Sequence, residues 1–221
     1  MIQGFPTSEG PHMIALLDYG AGNLRSVEKA LRFVGASIRV VTRPDEVGDA
    51  EAMVLPGVGA FDDCIVSLRR QELLECAREF IGSGRPFLGI CVGYQALFER
   101  SEEFNSCAAG MSLFAGSVVR FPTQPGLKVP QIGWNRIEMA ALSCPLYRDV
   151  PNGSYVYFVH SFYPQPADPS IAATFTDYGG DFVSSIWKDN VVATQFHPEK
   201  SQQIGLQILR NFVGWDGSRT G

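Results

Sequence analysis

A chain of 221 residues, 45% of them hydrophobic, is long enough to bury a sizeable core as a single α/β domain. Its formal net charge of −5, with no run of lysine or arginine, provides no electrostatic footprint for a nucleic-acid backbone or an anionic membrane, so neither is expected as a partner. No stretch approaches the ~20 apolar residues that span a bilayer, and the start MIQGFPTSEGPHM lacks the basic-then-apolar order of a secretory signal, which points to the cytoplasm.

In chain order, residues 1–12, rich in Gly, Pro and polar side chains, read as a flexible extension ahead of the fold. Ile14 to Asp18 is a short apolar strand. After the turn Tyr19-Gly20-Ala21-Gly22-Asn23, the residues Leu24, Val27, Leu31 and Val34 recur at helical spacing up to Gly35. The unit then repeats, with strands at Ile38 to Val41 and Ala52 to Leu55 and one helix from Asp62 to Ile81 closed by Gly82. A strand at Phe87 to Ile90 leads into a helix from Val92 to Phe98. Alternating β and α elements of this kind imply a parallel sheet covered by helices on both faces, with the chemistry at the strand ends. The second half reads as strands at Ser117 to Phe121, Arg136 to Met139, Tyr155 to His160, Ile171 to Thr176, Phe182 to Trp187 and Val191 to Phe196. Lys188-Asp189-Asn190 is a hairpin signal, and Ile204, Ile208, Leu209 and Phe212 mark a closing helix. The expected fold is an open mixed, mainly parallel sheet in one domain over 13–216, with 217–221 as a tail.

Gly89-Ile90-Cys91-Val92-Gly93 has the form of a nucleophile elbow, G-x-S-x-G, with sulfur in place of oxygen. A free cysteine is most often a small buried hydrophobe, and cysteines 64, 76, 107 and 144 are read so; the flanking glycines reverse that reading for Cys91. The five cysteines are odd in number and contain no C-x-x-C pair, so neither a disulfide framework nor a metal site is indicated. A nucleophile needs a base, and the histidines are His12, in the extension, His160 and His197. His197 ends the run Val191 to Phe196. The proline after it biases its backbone to an extended form, which brings Glu199, two residues on, to the same side. H-x-E alone is weak evidence; with Cys91 it completes a triad. The order Cys, His, Glu differs from that of the ordinary α/β-hydrolase, whose acid precedes its histidine.

Gln95 lies one helical turn after Cys91, able to offer an amide to a polar substrate or simply to face solvent. Of the two glycine loops, Gly20 to Asn23 has Arg25 where a third glycine would complete a dinucleotide fingerprint, so none is supported and Asn23 reads as a helix cap. Pro56-Gly57-Val58-Gly59 follows a strand and lies beside the elbow. It is either a plain turn or a loop able to aim a backbone N–H at an oxyanion.

The elbow G-I-C-V-G-Y-Q and the closing F-H-P-E resemble class I (triad) glutamine amidotransferases. Further stretches, LLDYGAGNLRSVEKAL, LPGVGAF, VPQIGWN, YFVHSFY and HPEKSQQIGLQIL, resemble the members that serve a (β/α)8-barrel cyclase in histidine biosynthesis. The resemblance runs from Ile14 to Phe212. It implies a flavodoxin-like sheet, no cofactor, and L-glutamine as substrate. It also implies a heterodimer in which the acceptor of ammonia, a phosphoribulosyl-formimino intermediate, lies on the cyclase polypeptide. By matching motif, Cys91 attacks the carboxamide, His197 protonates the departing ammonia and later activates water, and Glu199 orients His197. The oxyanion falls to the N–H of Val92 and, after a peptide flip at Gly57, to that of Val58. Gly59, Gln95, Glu103 and the Ser161–Phe162 backbone match glutamine-binding positions, with Glu103 pairing the substrate ammonium. Phe162 departs from the pattern, since tyrosine is common after His-Ser; a contact through its backbone survives that change.

Asn23, Trp134, Tyr157 and Lys200 match positions toward the cyclase. Their alternatives are a helix cap, a core aromatic, a strand aromatic and a solvated lysine. Two other functions are compatible with such a fold, a noncatalytic scaffold, which would typically have lost Cys91 or His197, and a stand-alone Cys hydrolase needing no partner.

Overall fold

The computed structural model describes residues 13–20, 23–103 and 106–218. The expected extension and most of the expected tail lie outside them. Gly217 and Ser218 are described, and Trp215 Nε1 donates to Ser218 O at 2.8 Å, so the chain forms a turn there.

The elements are β1 (Met13–Leu17), α1 (Leu24–Phe33), β2 (Ser37–Val41), β3 (Ala52–Leu55), α2 (Phe61–Arg70), α3 (Leu73–Gly82), β4 (Phe87–Ile90) and α4 (Val92–Gln95). There follow β5 (Arg100–Ser101), β6 (Gly116–Arg120), β7 (Gln131–Arg136), β8 (Glu138–Met139), β9 (Tyr155–His160) and β10 (Phe162–Pro166). The chain closes with β11 (Ala172–Asp177), β12 (Asp181–Lys188), β13 (Val191–Thr194) and α5 (Gln202–Val213). Eight strands form one sheet in the order β2-β1-β3-β4-β13-β12-β11-β8. The pairings from β2 to β13 are parallel and the last three antiparallel, so the expected open mixed sheet is present. Two small sheets, β10-β6-β5 and β7-β9, stand apart from it.

Burial explains the strand pattern. β3, β4 and β13 are buried at every residue, as strands covered on both faces must be, whereas the edge strand β2 buries only Ile38 and Val41. The chain steps from β1 to β2 in one direction and from β3 to β4 in the other. Right-handed crossovers therefore set α1 and α2–α3 on opposite faces and leave a topological switch point between β1 and β3. The loops after β1, β3, β4 and β13 all emerge at that end of the sheet.

Three expectations are corrected. The single helix from Asp62 to Ile81 is two, because the apolar stripe slips phase. α2 buries Phe61, Cys64, Ile65 and Leu68, and a continuous helix would next bury Gln71 and Glu72. Instead Glu72 takes φ 60°, and α3 restarts with Leu73 and Leu74 against the core. The helix expected to reach Phe98 is one turn long, because the backbone N–H groups of Met111, Leu113 and Ser112 take the carbonyls of Ala96, Leu97 and Phe98. β7 and β10 were not expected as strands; β10 carries Pro164 and Pro166, which an edge strand tolerates, and it is the edge of its sheet.

Candidate active site

Cys91 sits at the junction of β4 and α4 with φ 54° and ψ −107°, a strained conformation for a residue with a Cβ, and its N–H donates to Thr194 O of β13 at 2.7 Å. The flanking glycines are steric necessities. A Cβ on Gly93 would lie 2.0 Å from Leu55 O at the end of β3, and one on Gly89 would lie 2.8 Å from Gly93 O. With α4 reduced to one turn, any negative charge at the sulfur would have to be balanced mainly by side chains rather than by a helix dipole.

The balancing group is His197. Its backbone is clamped to β9: the His197 N–H donates to Tyr157 O at 2.9 Å, the Ser201 hydroxyl donates to His197 O at 2.7 Å, and the Tyr157 N–H donates to that hydroxyl at 2.9 Å. Nδ1 donates to Glu199 Oε1 at 2.7 Å, with side-chain exposures of 2% and 0%. The contact is made across a short 3₁₀ turn at Pro198–Lys200, rather than along the extended chain expected. Nε2 makes no hydrogen bond of ordinary geometry among the described residues and faces the Cys91 sulfur. Burial is the largest influence on the ring and opposes its charge. Negative charge at Cys91, contact with the sulfur and then Glu199 outweigh it, and lift His197 from 6.5 to about 10.

Asn23 holds the N-cap position of α1, where its carbonyl accepts the Ser26 N–H at 3.1 Å, but its side chain does not cap the helix. It takes φ 71° without a capping side-chain bond, and its Nδ2 donates instead to Glu199 Oε1 at 2.6 Å. One carboxylate oxygen thus receives both the triad imidazole and an amide from the loop after β1.

A cleft of about 380 Å³ opens over these groups, and Val58, Gly59, Val92, Gln95, Glu103, Ser161 and Phe162 line it together with Cys91 and His197. Lys200 lines it too and is exposed. Glu103 Oε2 accepts the Phe61 N–H at 2.8 Å, so this carboxylate also tethers the start of α2. Gly57 lies beneath the cleft, where a Cβ would meet Gly93 N at 2.6 Å and the Tyr19 hydroxyl at 2.9 Å. The Val58 N–H lies close enough to Tyr19 to favour its charged form, although burial, the larger influence, holds that hydroxyl well above the usual tyrosine range.

Trp134 is 45% exposed, so it is not a core aromatic; it pairs with Tyr157 across β7–β9 at 6.0 Å between centroids, and the Lys200 ammonium stands 5.9 Å from the Tyr157 ring. Ile132 and Tyr155, 63% and 54% exposed, extend this apolar face. Asn23, Trp134 and Tyr157 do not line the cleft.

Four neighbours of the site carried no functional assignment in the sequence: Tyr19, His160, Gln195 and Ser201. His160 donates through Nδ1 to Phe162 O at 2.9 Å amid Phe121, Phe158 and Phe182, and burial holds it neutral, down to about 3, so it offers no charge to compete with His197. A polar Gln195 two residues before His197 in a mostly apolar run was the available signal; nothing marked Ser201. No disulfide joins the described cysteines; Cys64 and Cys144 are buried as expected, whereas Cys107 is exposed, and no group of three or more potential ligands among the described residues is arranged to hold a metal. No described helix is long and apolar enough to cross a membrane.

The family model of class-I glutamine amidotransferases matches residues 15–214. The chain is 50% identical over 205 residues to the imidazole glycerol phosphate synthase subunit HisH of Syntrophotalea carbinolica, covering 90% of this chain and 98% of that one. It is 48% identical over 201 residues to the same subunit of Thermosynechococcus vestitus, covering 90% and 95%. In fold it is similar to the Thermotoga maritima structure described as PurLQS, with a TM-score of 0.72 at 19% identity over 92% of this chain and 98% of that one. The Thermoplasma acidophilum structure of a GMP synthase component gives a TM-score of 0.68 at 24% identity, over 94% of each chain. This chain therefore belongs to the class I glutamine amidotransferases and, within them, to the HisH subunits of imidazole glycerol phosphate synthase.

Proposed function

We propose that Cys91, His197 and Glu199 hydrolyse L-glutamine to glutamate and ammonia, and that the ammonia passes to a (β/α)8-barrel cyclase subunit that makes imidazole glycerol phosphate and AICAR in the cytoplasm. The observation that carries the reading is the buried chain of contacts from Cys91 through His197 to Glu199 at the floor of the cleft.

The Cys91 sulfur attacks the side-chain carbonyl carbon and the carbonyl oxygen becomes an oxyanion, met by the Val92 N–H and, after the Gly57 peptide turns, by that of Val58. Collapse breaks the C–N bond as the His197 imidazolium gives its proton to the leaving nitrogen. A thioester and ammonia result. The sulfur is now uncharged, so two of the influences that raise the His197 pKa vanish while burial remains. The ring falls toward neutrality at the step where it must accept a proton from water. Water adds to the thioester, the sulfur departs as thiolate, and glutamate is released.

With the Val58 N–H beside Tyr19, one oxyanion donor is missing until the loop turns. The isolated chain is then a poor glutaminase, by a factor of ~10²–10³. The Tyr157 carbonyl that holds His197 belongs to the strand carrying the exposed aromatic face, which gives a docked partner a short route to the triad. The exposed Lys200, beside the Tyr157 ring, reaches toward the same partner, while Asn23 is joined to the triad through Glu199.

The test compares glutamine-dependent with ammonia-dependent synthesis in the assembled enzyme. Cys91→Ala loses the first and keeps the second. Loss of both, or of neither, contradicts the proposal.

A further inference from the structure

Gln195 is wholly buried two residues before His197, and the triad makes no use of it. Its Nε2 lies 3.6 Å from Cys91 Sγ, and its Oε1 accepts from Gln95 Nε2 at 3.2 Å. Gln95 Nε2 also donates to Phe162 O at 3.1 Å. The two ends of an amide have the same outline, so their orientation must be read from the network. Here one end is beyond choice, because Phe162 O is a backbone carbonyl and only accepts. Gln95 must present its NH₂ to Phe162 and, with the second hydrogen, to Gln195. The oxygen of Gln195 then faces Gln95, and its NH₂ is turned to the sulfur. Turning over Gln95 sets oxygen against oxygen at Phe162; turning over Gln195 sets nitrogen against nitrogen. The anchor itself is fixed, since His160 Nδ1 donates to the same carbonyl at 2.9 Å and the Gln195 N–H donates to Ser184 O at 2.8 Å.

We propose that Gln195 is a further catalytic residue that holds an N–H on the Cys91 sulfur, with Gln95 acting through it as a positioning residue. The proposal rests on Cys91 being the nucleophile. The sulfur is negative twice in each turnover, before it attacks and as water expels it from the thioester. A donor at a buried anion favours both states, and a charge-assisted hydrogen bond is about twice as strong as a neutral one. The other titratable groups facing Cys91 are His197, backed by Glu199, and Tyr19 and Cys64 from below the glycine loop. Burial keeps these last two protonated, with Cys64 pushed up to about 12. For Gln95 the network adds a second duty. With both hydrogens engaged, it offers a ligand its carbonyl oxygen.

The rate of Cys91 alkylation by iodoacetamide, followed by peptide mass spectrometry from about pH 5 to 10 without glutamine, reads the sulfur directly. It is measured in the assembled enzyme for the unaltered chain, Gln195→Met and Gln95→Met, beside kcat and KM for glutamine. In Gln195→Met the alkylation midpoint rises by about one pH unit and the rate on the acid side of the midpoint falls about tenfold, with kcat falling and KM moving less than about threefold. Gln95→Met shifts the midpoint the same way by a smaller amount. A Gln195→Met profile that superimposes on the unaltered one overturns the proposal and leaves the triad reading intact. Glutaminase activity surviving in Cys91→Ala overturns that reading instead. Should Gln195→Met fail to fold, Gln195→Asn withdraws the N–H by one methylene and is judged by the same profile.

Discussion

Glu199→Gln removes a charge and little else. Glu199 Oε1 accepts His197 Nδ1 at 2.7 Å and Asn23 Nδ2 at 2.6 Å, and Oε2 has no partner among the described residues. A glutamine in the same pose keeps both hydrogen bonds through its carbonyl oxygen and places its NH₂ where Oε2 was. The alternative pose sets that NH₂ against the Asn23 amide, so Asn23 opposes the flip that would force the wrong imidazole tautomer. An adjacent opposite charge shifts a pKa by about 1–3 units, equivalent to about 1.4–4 kcal/mol. His197 should fall by that much from its value of about 10. In the assembled enzyme, kcat/KM should then drop about 2- to 10²-fold at pH 9 and less at pH 6, well short of the ~10⁴ that a wrong tautomer costs. Adding Asn23→Ala releases the flip, and the double variant should lose more than the product of the single losses. The pKa is read by NMR of the imidazole carbons. Because the folded pKa of His197 lies above the unfolded 6.5, its stabilisation is full below pH 6.5 and is lost as pH rises through about 10. The stability deficit of Glu199→Gln should accordingly shrink over that window. An unaltered chain in which His197 titrates near 6.5, or a variant with an unchanged alkaline limb, refutes the reasoning.

Other outcomes follow from packing. Gly93→Ala forces a Cβ to 2.0 Å from Leu55 O, and since both partners are backbone the fold should lose at least about 1–3 kcal/mol in denaturant titration; an unchanged midpoint contradicts the geometry. His160, held down at about 3, binds no proton in the folded state between pH 6.5 and 3, so stability present above pH 6.5 should be lost progressively as pH falls through that range. His160→Phe should flatten this decline, and an identical slope in the variant excludes His160 as its cause. Trp134→Ala leaves the isolated fold unaltered and should weaken partner affinity about 10- to 10²-fold by calorimetry; unchanged affinity removes the β7–β9 face from the interface.

Much of this molecule was readable from local rules. Most of the parallel strands announce themselves as short apolar runs, and the elbow by glycines whose missing Cβ atoms are required by Leu55 O and Gly93 O. The break at Glu72 was also readable, because the apolar stripe loses phase after Leu68, although a count of apolar residues alone merges the two helices. β10 was hidden because two prolines argue against a strand unless its edge position is known. The partners of Asn23 and Gln195 were hidden for a different reason. Both are set by contacts more than a hundred positions apart in the chain, to Glu199 and Cys91, which no local pattern encodes.

The central claim is that one sulfur attacks the glutamine carboxamide. Incubating the assembled enzyme with 6-diazo-5-oxo-L-norleucine, a glutamine-like electrophile, and mapping the adduct by mass spectrometry tests it most directly. The account predicts one adduct per chain, on Cys91, with loss of glutamine-dependent turnover in proportion and no adduct in Cys91→Ala. Inactivation with the label on another residue, or a fully labelled Cys91 in an enzyme that still hydrolyses glutamine, would contradict it.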